Sequence, residues 1–135
     1  MNLVYEKVKR CFDVIRQKTD FQPAVGIVLG SGLGGFADNI QVEAEISYGE
    51  IEDFPVSTVA GHAGKFIFGY LQDKPVVCMK GRVHYYEGYA VSDVVLPVRL
   101  MHLMGVKTLF LTNAAGGIQS GMKAGDFMLL TDHIA

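Results

Sequence analysis

Residues 25–35 read VGIVLGSGLGG, an apolar run that passes directly into a glycine-rich segment. The first part is short and rich in β-branched residues, which predicts a buried strand over residues 24–29. The glycines permit a tight turn that exposes backbone N–H groups beside the Ser31 hydroxyl, and such a turn can bind an anion. Ligand sites of open α/β sheets lie at the carboxyl ends of their strands. The stretch therefore predicts an α/β fold with a ligand site where this strand ends.

Two nucleotide-binding motifs with similar glycines do not fit. Gly30, Gly32 and Gly35 satisfy the pattern G-x-G-x-x-G. Only residues 36–41 separate this turn from the next expected strand, which is too short for the crossover helix of a dinucleotide-binding unit. No Gly-Lys-Ser/Thr follows, so a P-loop is excluded as well. An anion-binding turn and a plain glycine-rich turn both remain open on these residues alone.

Helical and strand-like patterns intermix along the rest of the chain. Helices are expected over residues 3–18 and 92–104, the second with a kink or later start at Pro97 and an end at Gly105. Further strands are expected at 42–48, 65–71, 76–79, 107–111 and 127–130, with a hairpin turn at 72–75 and a loop at 50–60. This intermixing supports the α/β class.

Residues 81–89 read GRVHYYEGY and follow an apolar strand pattern. Arg82 offers a planar, permanently charged fork for an oxyanion. In an extended chain His84 and Tyr86 would point to the same side as Arg82, while Tyr85 would point away. This arrangement suits a phosphate beside a sugar. A surface ion pair of Arg82 with Glu87 or another acid is the alternative.

Other residues of this segment allow two interpretations each. Glu87 could orient the His84 imidazole by a hydrogen bond, or it could be a solvated charge. Tyr85 and Tyr89 are expected to be core or interface rings.

Two more segments combine small residues with possible ligand groups. Residues 112–117 read TNAAGG after an apolar strand, and small side chains let a planar ligand approach the backbone, although a cramped loop has the same composition. His62 lies between Gly61 and Gly64. It is either an exposed loop residue or part of a lid that closes over a bound anion.

Together with Phe54-Pro55 and residues 61–64, these motifs resemble the trimeric class of purine nucleoside phosphorylases. They occur in the same order from about Gly26 to the last residue. The resemblance implies a mixed, distorted β-sheet flanked by helices. It implies phosphorolysis of purine ribonucleosides or deoxyribonucleosides to free base and sugar 1-phosphate. Inorganic phosphate is then a co-substrate, and neither a metal nor an organic cofactor is expected.

The resemblance also implies roles for individual residues. It places phosphate against Ser31, His62, Arg82, His84 and the backbone of Ala114. It places the nucleoside against Tyr86, Ala115 and Gly116, with Asn113 and Glu87 in support. A homotrimer with active sites near subunit interfaces is expected.

The chain ends at Ala135, directly after an apolar strand pattern with no closing element. We therefore expect residues 1–135 to be the N-terminal portion of a single, truncated nucleoside phosphorylase domain. In the family, the purine-recognising glutamate and asparagine and a ribose-contacting histidine come later in the chain. An isolated chain of this length is thus expected to lack nucleoside phosphorolysis. The alternatives are an enzyme like 5′-methylthioadenosine phosphorylase and an inactive fragment that acts only in interactions.

Composition excludes several other classes of protein. Half of the residues are hydrophobic and 19% are charged, so disorder is not expected. A formal net charge of −2 argues against a dedicated nucleic-acid or membrane-surface protein. No apolar run is long enough for a transmembrane helix, and residues 1–20 lack the pattern of a signal peptide. Cys11 and Cys78 are isolated and have no zinc-site spacing, which predicts a reducing, cytoplasmic location.

Overall fold

The computed structural model describes residues 3–57 and 64–134. Its helices are α1 (Leu3–Lys18), α2 (Val91–Val94) and α3 (Leu96–Met104). Its strands are β1 (Val25–Val28), β2 (Gln41–Ser47), β3 (Lys65–Leu71), β4 (Lys74–Lys80) and β5 (Thr108–Leu111). Short 3-10 turns lie at Gly34–Asn39, Tyr48–Glu50 and Tyr85–Glu87.

The strands form one mixed sheet in the order β2-β3-β4-β1-β5. Strands β2, β3 and β4 are antiparallel neighbours, while β1 lies between β4 and β5 and is parallel to both. The pairing of β2 with β3 shifts register between Val42 and Ala44, which distorts that end of the sheet. The mixed, distorted sheet with helices that the resemblance implied is confirmed.

The register of the parallel strands brings three loops to one edge of the sheet. Val28 lies opposite Met79 of β4 and Leu111 of β5. The residues two positions further along are therefore Gly30, Gly81 and Asn113. Three segments that the sequence singled out, near residues 30–35, 81–89 and 112–117, thus leave the sheet side by side.

Helices α1 and α3 cover one face of the sheet. Their buried residues include Val8, Cys11, Ile15, Leu100, Met101 and Met104, which pack with inward side chains of the strands. Among these are Phe66 and Phe68 of β3, and the rings of Tyr48 and Phe54 cluster with Phe66 at centroid distances of 4.8 to 5.3 Å. The Tyr48 hydroxyl donates a hydrogen bond of 2.7 Å to the carbonyl of Gly81, so the core holds the backbone where β4 ends.

The sequence predicted most element positions, including the break before α3 and its end. Pro97 lies in the first turn of α3, and Gly105 ends the helix with φ 113. The hairpin turn is shorter than predicted. It uses Gln72 and Asp73 alone, with Gln72 in the left-handed region at φ 56, because Lys74 and Pro75 already pair with β3.

The strand predicted at residues 127–130 is wrong. These residues are in irregular structure, with exposures from 52% at Leu130 to 100% at Phe127. Apolar composition alone does not make a strand, because a strand needs a neighbour to bond its backbone groups. In the described part of the chain, the ladder of β5 pairs with β1.

Among the described residues, no helix combines the length and the apolar character that crossing a bilayer requires. Cys11 and Cys78 are both free thiols and both buried.

The buried thiol of Cys78 predicts a decline of stability at alkaline pH. Burial raises the pKa of Cys78 from 9.0 to about 11. Between these two pH values the unfolded chain has released this proton and the folded chain has retained it, so the free energy of unfolding falls as the pH rises. Urea unfolding from pH 8 to 10.5 should show this fall. Cys78→Ala should reduce its slope, whatever its effect at pH 8; an unchanged slope would contradict the prediction.

Candidate functional site

A cleft of about 430 Å³ lies at the carboxyl ends of β1 and β4. The segment after β1 lines one side of it, and the residues that end β4 line the other. Its lining residues are Leu29, Gly30, Ser31, Gly32, Gly34, Lys65, Lys80, Gly81, Arg82 and His84. The structure thus brings Ser31 together with Arg82 and His84, which lie about fifty residues later in the sequence. The basic side chains of Lys65, Lys80 and Arg82, together with the His84 imidazole, suit this cleft to an anion, and we refer to it as the anion cleft.

The glycine turn is held close to the end of β5 by Thr112. The Gly30 N–H donates to Thr112 Oγ1 at 2.9 Å, and this hydroxyl donates to the carbonyl of Val28 at 2.8 Å. A Cβ atom at Gly30 would lie 2.6 Å from the carbonyl oxygen of Thr112. Glycine is therefore required at this position by close backbone approach. Gly32 has φ +82, which glycine adopts without strain.

Arg82 is fixed by the same threonine. Its Nη1 donates a hydrogen bond of 3.0 Å to the carbonyl oxygen of Thr112. Arg82 is half-buried, and a guanidinium has five N–H donors, so others remain for an anion in the cleft. The alternative, an ion pair of Arg82 with Glu87 or another acid, is not formed within the described part of the chain; Glu87 instead accepts hydrogen bonds from the His84 backbone and from Ser57.

Glu87 stabilises the turn that carries His84. Its Oε1 accepts a hydrogen bond of 2.7 Å from the backbone N–H of His84, and its Oε2 accepts one of 2.9 Å from the Ser57 hydroxyl. The predicted bond from Glu87 to the imidazole is thus replaced by one to the His84 backbone. Glu87 fixes where His84 lies by shaping the chain around it.

Tyr86 lies beside His84, although the chain is not extended there. Residues Tyr85–Glu87 form a 3-10 turn, so strand alternation does not apply beyond His84. The Tyr86 ring stacks on the imidazole with a centroid distance of 4.8 Å and an interplanar angle of 10°. Tyr86 is 81% exposed, so this ring forms an open platform next to the cleft.

The other two tyrosines of this segment are not core residues. Tyr85 is exposed, which makes the core interpretation of its ring wrong. Tyr89 is half-exposed, and its hydroxyl donates a short hydrogen bond to the carbonyl of Val56.

A second, more apolar cleft of about 390 Å³ shares Arg82 and His84 with the first. It lies between the ends of β4 and β5 and the start of α3, and Val83, Pro97, Val98 and Asn113 are among its lining residues. The anion cleft and the apolar cleft therefore meet at Arg82 and His84. A ligand with a charged part and an apolar part fits this arrangement.

The structure does not bring every predicted site residue to these clefts. Ala114, Ala115 and Gly116 are exposed and line neither of them; the Asn113 side chain donates to the Ala114 carbonyl at 3.2 Å. His62 lies outside the described residues. The roles of these residues remain predictions.

Sequence reasoning missed three residues of the site: Thr112, Lys65 and Lys80. Thr112 follows β5 immediately, and the register of β5 against β1 places it near the glycine turn. Lys80 directly precedes Gly81, and β3–β4 pairing sets it opposite Lys65. The strand register is the signal that could have identified all three. Within the described ranges, no group of three or more His, Cys, Asp or Glu residues is arranged to hold a metal ion.

Comparison with known proteins gives consistent results. The profile of the phosphorylase superfamily matches residues 24–135. The chain is 46% identical over 129 residues to purine nucleoside phosphorylase 1 of Bacillus subtilis, covering 96% of this chain and 48% of that protein. It is 47% identical over 130 residues to purine nucleoside phosphorylase of Rattus norvegicus, covering 96% of this chain and 45% of that one.

The fold is also similar to that of solved purine nucleoside phosphorylase structures. A crystal structure of purine nucleoside phosphorylase in complex with ribose-1-phosphate superposes with a TM-score of 0.84 at 47% identity. The match covers 90% of this chain and 44% of the other. The chain therefore spans less than half the length of each of these relatives.

Proposed function

The chain belongs to the phosphorylase superfamily, and we propose that the whole protein cleaves purine nucleosides with inorganic phosphate. The products are the free purine base and ribose 1-phosphate or deoxyribose 1-phosphate. The observation that carries the proposal is the cleft in which Ser31, Arg82 and His84 meet at the carboxyl ends of β1 and β4. The relatives named purine nucleoside phosphorylase support the choice of substrate.

The chemistry accounts for the residue types in the cleft. Phosphorolysis breaks the bond between the sugar C1′ and a purine nitrogen; the electron pair leaves with the base, which gains the proton that the phosphate gives up. A phosphate oxygen forms the new bond to C1′. Positive charge develops on the sugar in such transfers. A phosphate held by the Ser31 hydroxyl, Arg82 and His84 stabilises that charge and is also positioned to attack it.

The remaining predicted contacts complete this proposal. His62 and the Ala114 backbone would add to the phosphate site, Tyr86 would contact the ribose, and Ala115 and Gly116 would form one wall of the purine pocket. The exposed Tyr86 ring stacked on His84 supports its part, because it stands next to the anion cleft. The nucleophile is phosphate itself, so the proposed reaction uses no metal or organic cofactor.

The assembly and location are further proposals. A homotrimer follows from the resemblance to the trimeric class, and the exposed Tyr85 ring is consistent with a contact between subunits. A cytoplasmic location is supported by two buried thiols that form no disulfide.

The test is base release from inosine and guanosine by the whole protein, with phosphate present and omitted. We expect release that depends on phosphate and yields sugar 1-phosphate. Release without phosphate, giving free ribose, would indicate a hydrolase and contradict the proposal. Turnover of 5′-methylthioadenosine in preference to both purine nucleosides would favour the related phosphorylase instead. A chain ending at Ala135 is the matched comparison, with no turnover expected.

A further inference from the structure

Two lysines that face each other across the sheet both line the anion cleft. Lys65 begins β3 and Lys80 ends β4, and the antiparallel register pairs them directly. Both line the cleft with Ser31, Arg82 and His84. Like charges directly opposite each other on neighbouring strands are destabilising. The site thus contains a repulsive pair of cations that an anion between them would offset.

Each lysine has an acidic partner, but the two ion pairs differ in their N–O distance. Lys65 Nζ lies 2.6 Å from Glu45 Oε2 of the neighbouring strand β2, which is a close ion pair. Lys80 Nζ lies 3.8 Å from Asp38 Oδ1, and the Asp38 side chain is 80% exposed. An exposed, loosely paired carboxylate contributes little and exchanges readily with water. Of the two lysines, Lys80 can therefore exchange its carboxylate partner for another anion at the smaller cost in free energy.

Lys80 is also placed next to the glycine turn. A methyl group added at Gly34 would lie 3.7 Å from Lys80 Cε, so the lysine stem passes beside the loop that carries Ser31. Asp38 belongs to the 3-10 turn Gly34–Asn39 that continues this loop. The Lys80 side chain thus extends from the end of β4 toward this loop, and Arg82 follows two residues later in the chain.

We propose that Lys80 is a phosphate-binding residue of this cleft, held by Asp38 until the anion arrives and then exchanged onto it. This inference rests on the proposed function, since it assigns a further cation to the same phosphate site. Its consequence is a preference for anions of higher charge, because each added cation favours the dianion over the monoanion.

The test measures binding of inorganic phosphate to the purified protein by calorimetry at two ionic strengths. Lys80→Gln should raise the Kd by about threefold to tenfold, the size expected for one partly screened charge near the anion. It should also reduce the dependence of the Kd on salt. Asp38→Asn, which frees Lys80, should lower the Kd by about twofold.

Lys74→Gln is the matched control. Lys74 begins the strand that Lys80 ends, and it pairs with Asp73 at 3.0 Å. Its replacement changes the net charge equally and should leave the Kd unchanged. In phosphate-free buffer, Lys80→Gln should be at least as resistant to urea as the parent protein, because it removes the repulsion with Lys65. A merely structural role for Lys80 would instead lower that resistance.

The outcomes separate this inference from the proposed function. If Arg82→Ala abolishes phosphate binding and Lys80→Gln leaves the Kd unchanged, the role of Lys80 is wrong and the phosphate site stands. If neither variant changes the Kd, the phosphate site itself is wrong. If Lys80→Gln weakens binding only together with a loss of urea resistance, the lysine is structural and the inference is overturned.

Discussion

Arg82→Ala is expected to lower phosphate-dependent turnover by about tenfold to a hundredfold, because a charge-assisted, bidentate contact contributes roughly 1.5–3 kcal/mol. Among the described residues, Arg82 is the one arginine that lines the anion cleft. Its side chain is already oriented by the Thr112 carbonyl, so little conformational entropy is lost when phosphate binds. Steady-state kinetics with phosphate as the varied substrate should show a raised KM for phosphate and a lowered kcat.

Two further variants are informative. One separates the charge of Arg82 from its planar shape, and the other controls for the loss of any arginine. Arg82→Lys keeps the charge but lacks the planar fork, so it should restore little of the activity. Arg99→Ala removes an exposed arginine of α3 and should leave the phosphate dependence unchanged. An Arg82→Ala enzyme whose KM for phosphate and kcat both equal those of the parent would refute the assignment.

The strands could be predicted because each has a local pattern. Residues 24–29 and 65–71 are apolar runs bounded by turn residues, and they became β1 and β3 within a residue or two. Pro97 and Gly105 marked the start and end of α3 by their backbone restrictions. Local patterns do not predict how the strands pair, because pairing depends on contacts between distant segments. The family resemblance implied a mixed, distorted sheet, and the strand order came from the structure.

Some residues of the candidate site could likewise be predicted from the sequence, and others could not. Ser31, Arg82 and His84 carry chemistry that a sequence shows directly, and the structure places them in one cleft. Lys80 has no such signal, since a lysine at the end of a strand is ordinarily a solvated charge. Its place opposite Lys65 follows from the β3–β4 register alone. Strand alternation predicts Tyr86 on the same side as His84. The two rings do lie together, but a 3-10 turn rather than an extended chain stacks them.

The segment after β5 shows the limit of composition as a guide. Residues 127–130 are as apolar as a core strand, yet their exposure in the structure shows that hydrophobicity does not specify a partner. Thr112, in contrast, is polar and joins three parts of the site. It bonds Gly30, Val28 and Arg82 through one hydroxyl and one carbonyl. Such a junction exists only once β1 and β5 are adjacent.

Gly30→Ala is expected to damage both the stability of the fold and the phosphate site. The added methyl group would lie 2.6 Å from the Thr112 carbonyl oxygen and 2.7 Å from Asn113 Cα, and both are backbone atoms that cannot rotate away. Relieving this overlap must move β1 and the end of β5 apart. Overpacking of this kind costs about 1–3 kcal/mol in the free energy of unfolding.

The same displacement would disturb anion binding. It would weaken the bond from the Gly30 N–H to Thr112 Oγ1 and shift the carbonyl that orients Arg82. We therefore expect Gly30→Ala to lower the midpoint of urea unfolding and to raise the Kd for inorganic phosphate by at least tenfold, approaching the loss that Arg82→Ala causes.

Gly35→Ala provides the control within the same loop. A methyl group at Gly35 meets no atom within 4 Å, and its φ lies outside the left-handed region. This variant should fold with unchanged or slightly greater stability, since alanine restricts the unfolded chain more than glycine does. Phosphate affinity should stay at the parent value. A Gly30→Ala protein that keeps the urea midpoint and phosphate Kd of the parent, as Gly35→Ala should, would contradict the prediction, because the close approach of Gly30 to Thr112 would then not shape the site.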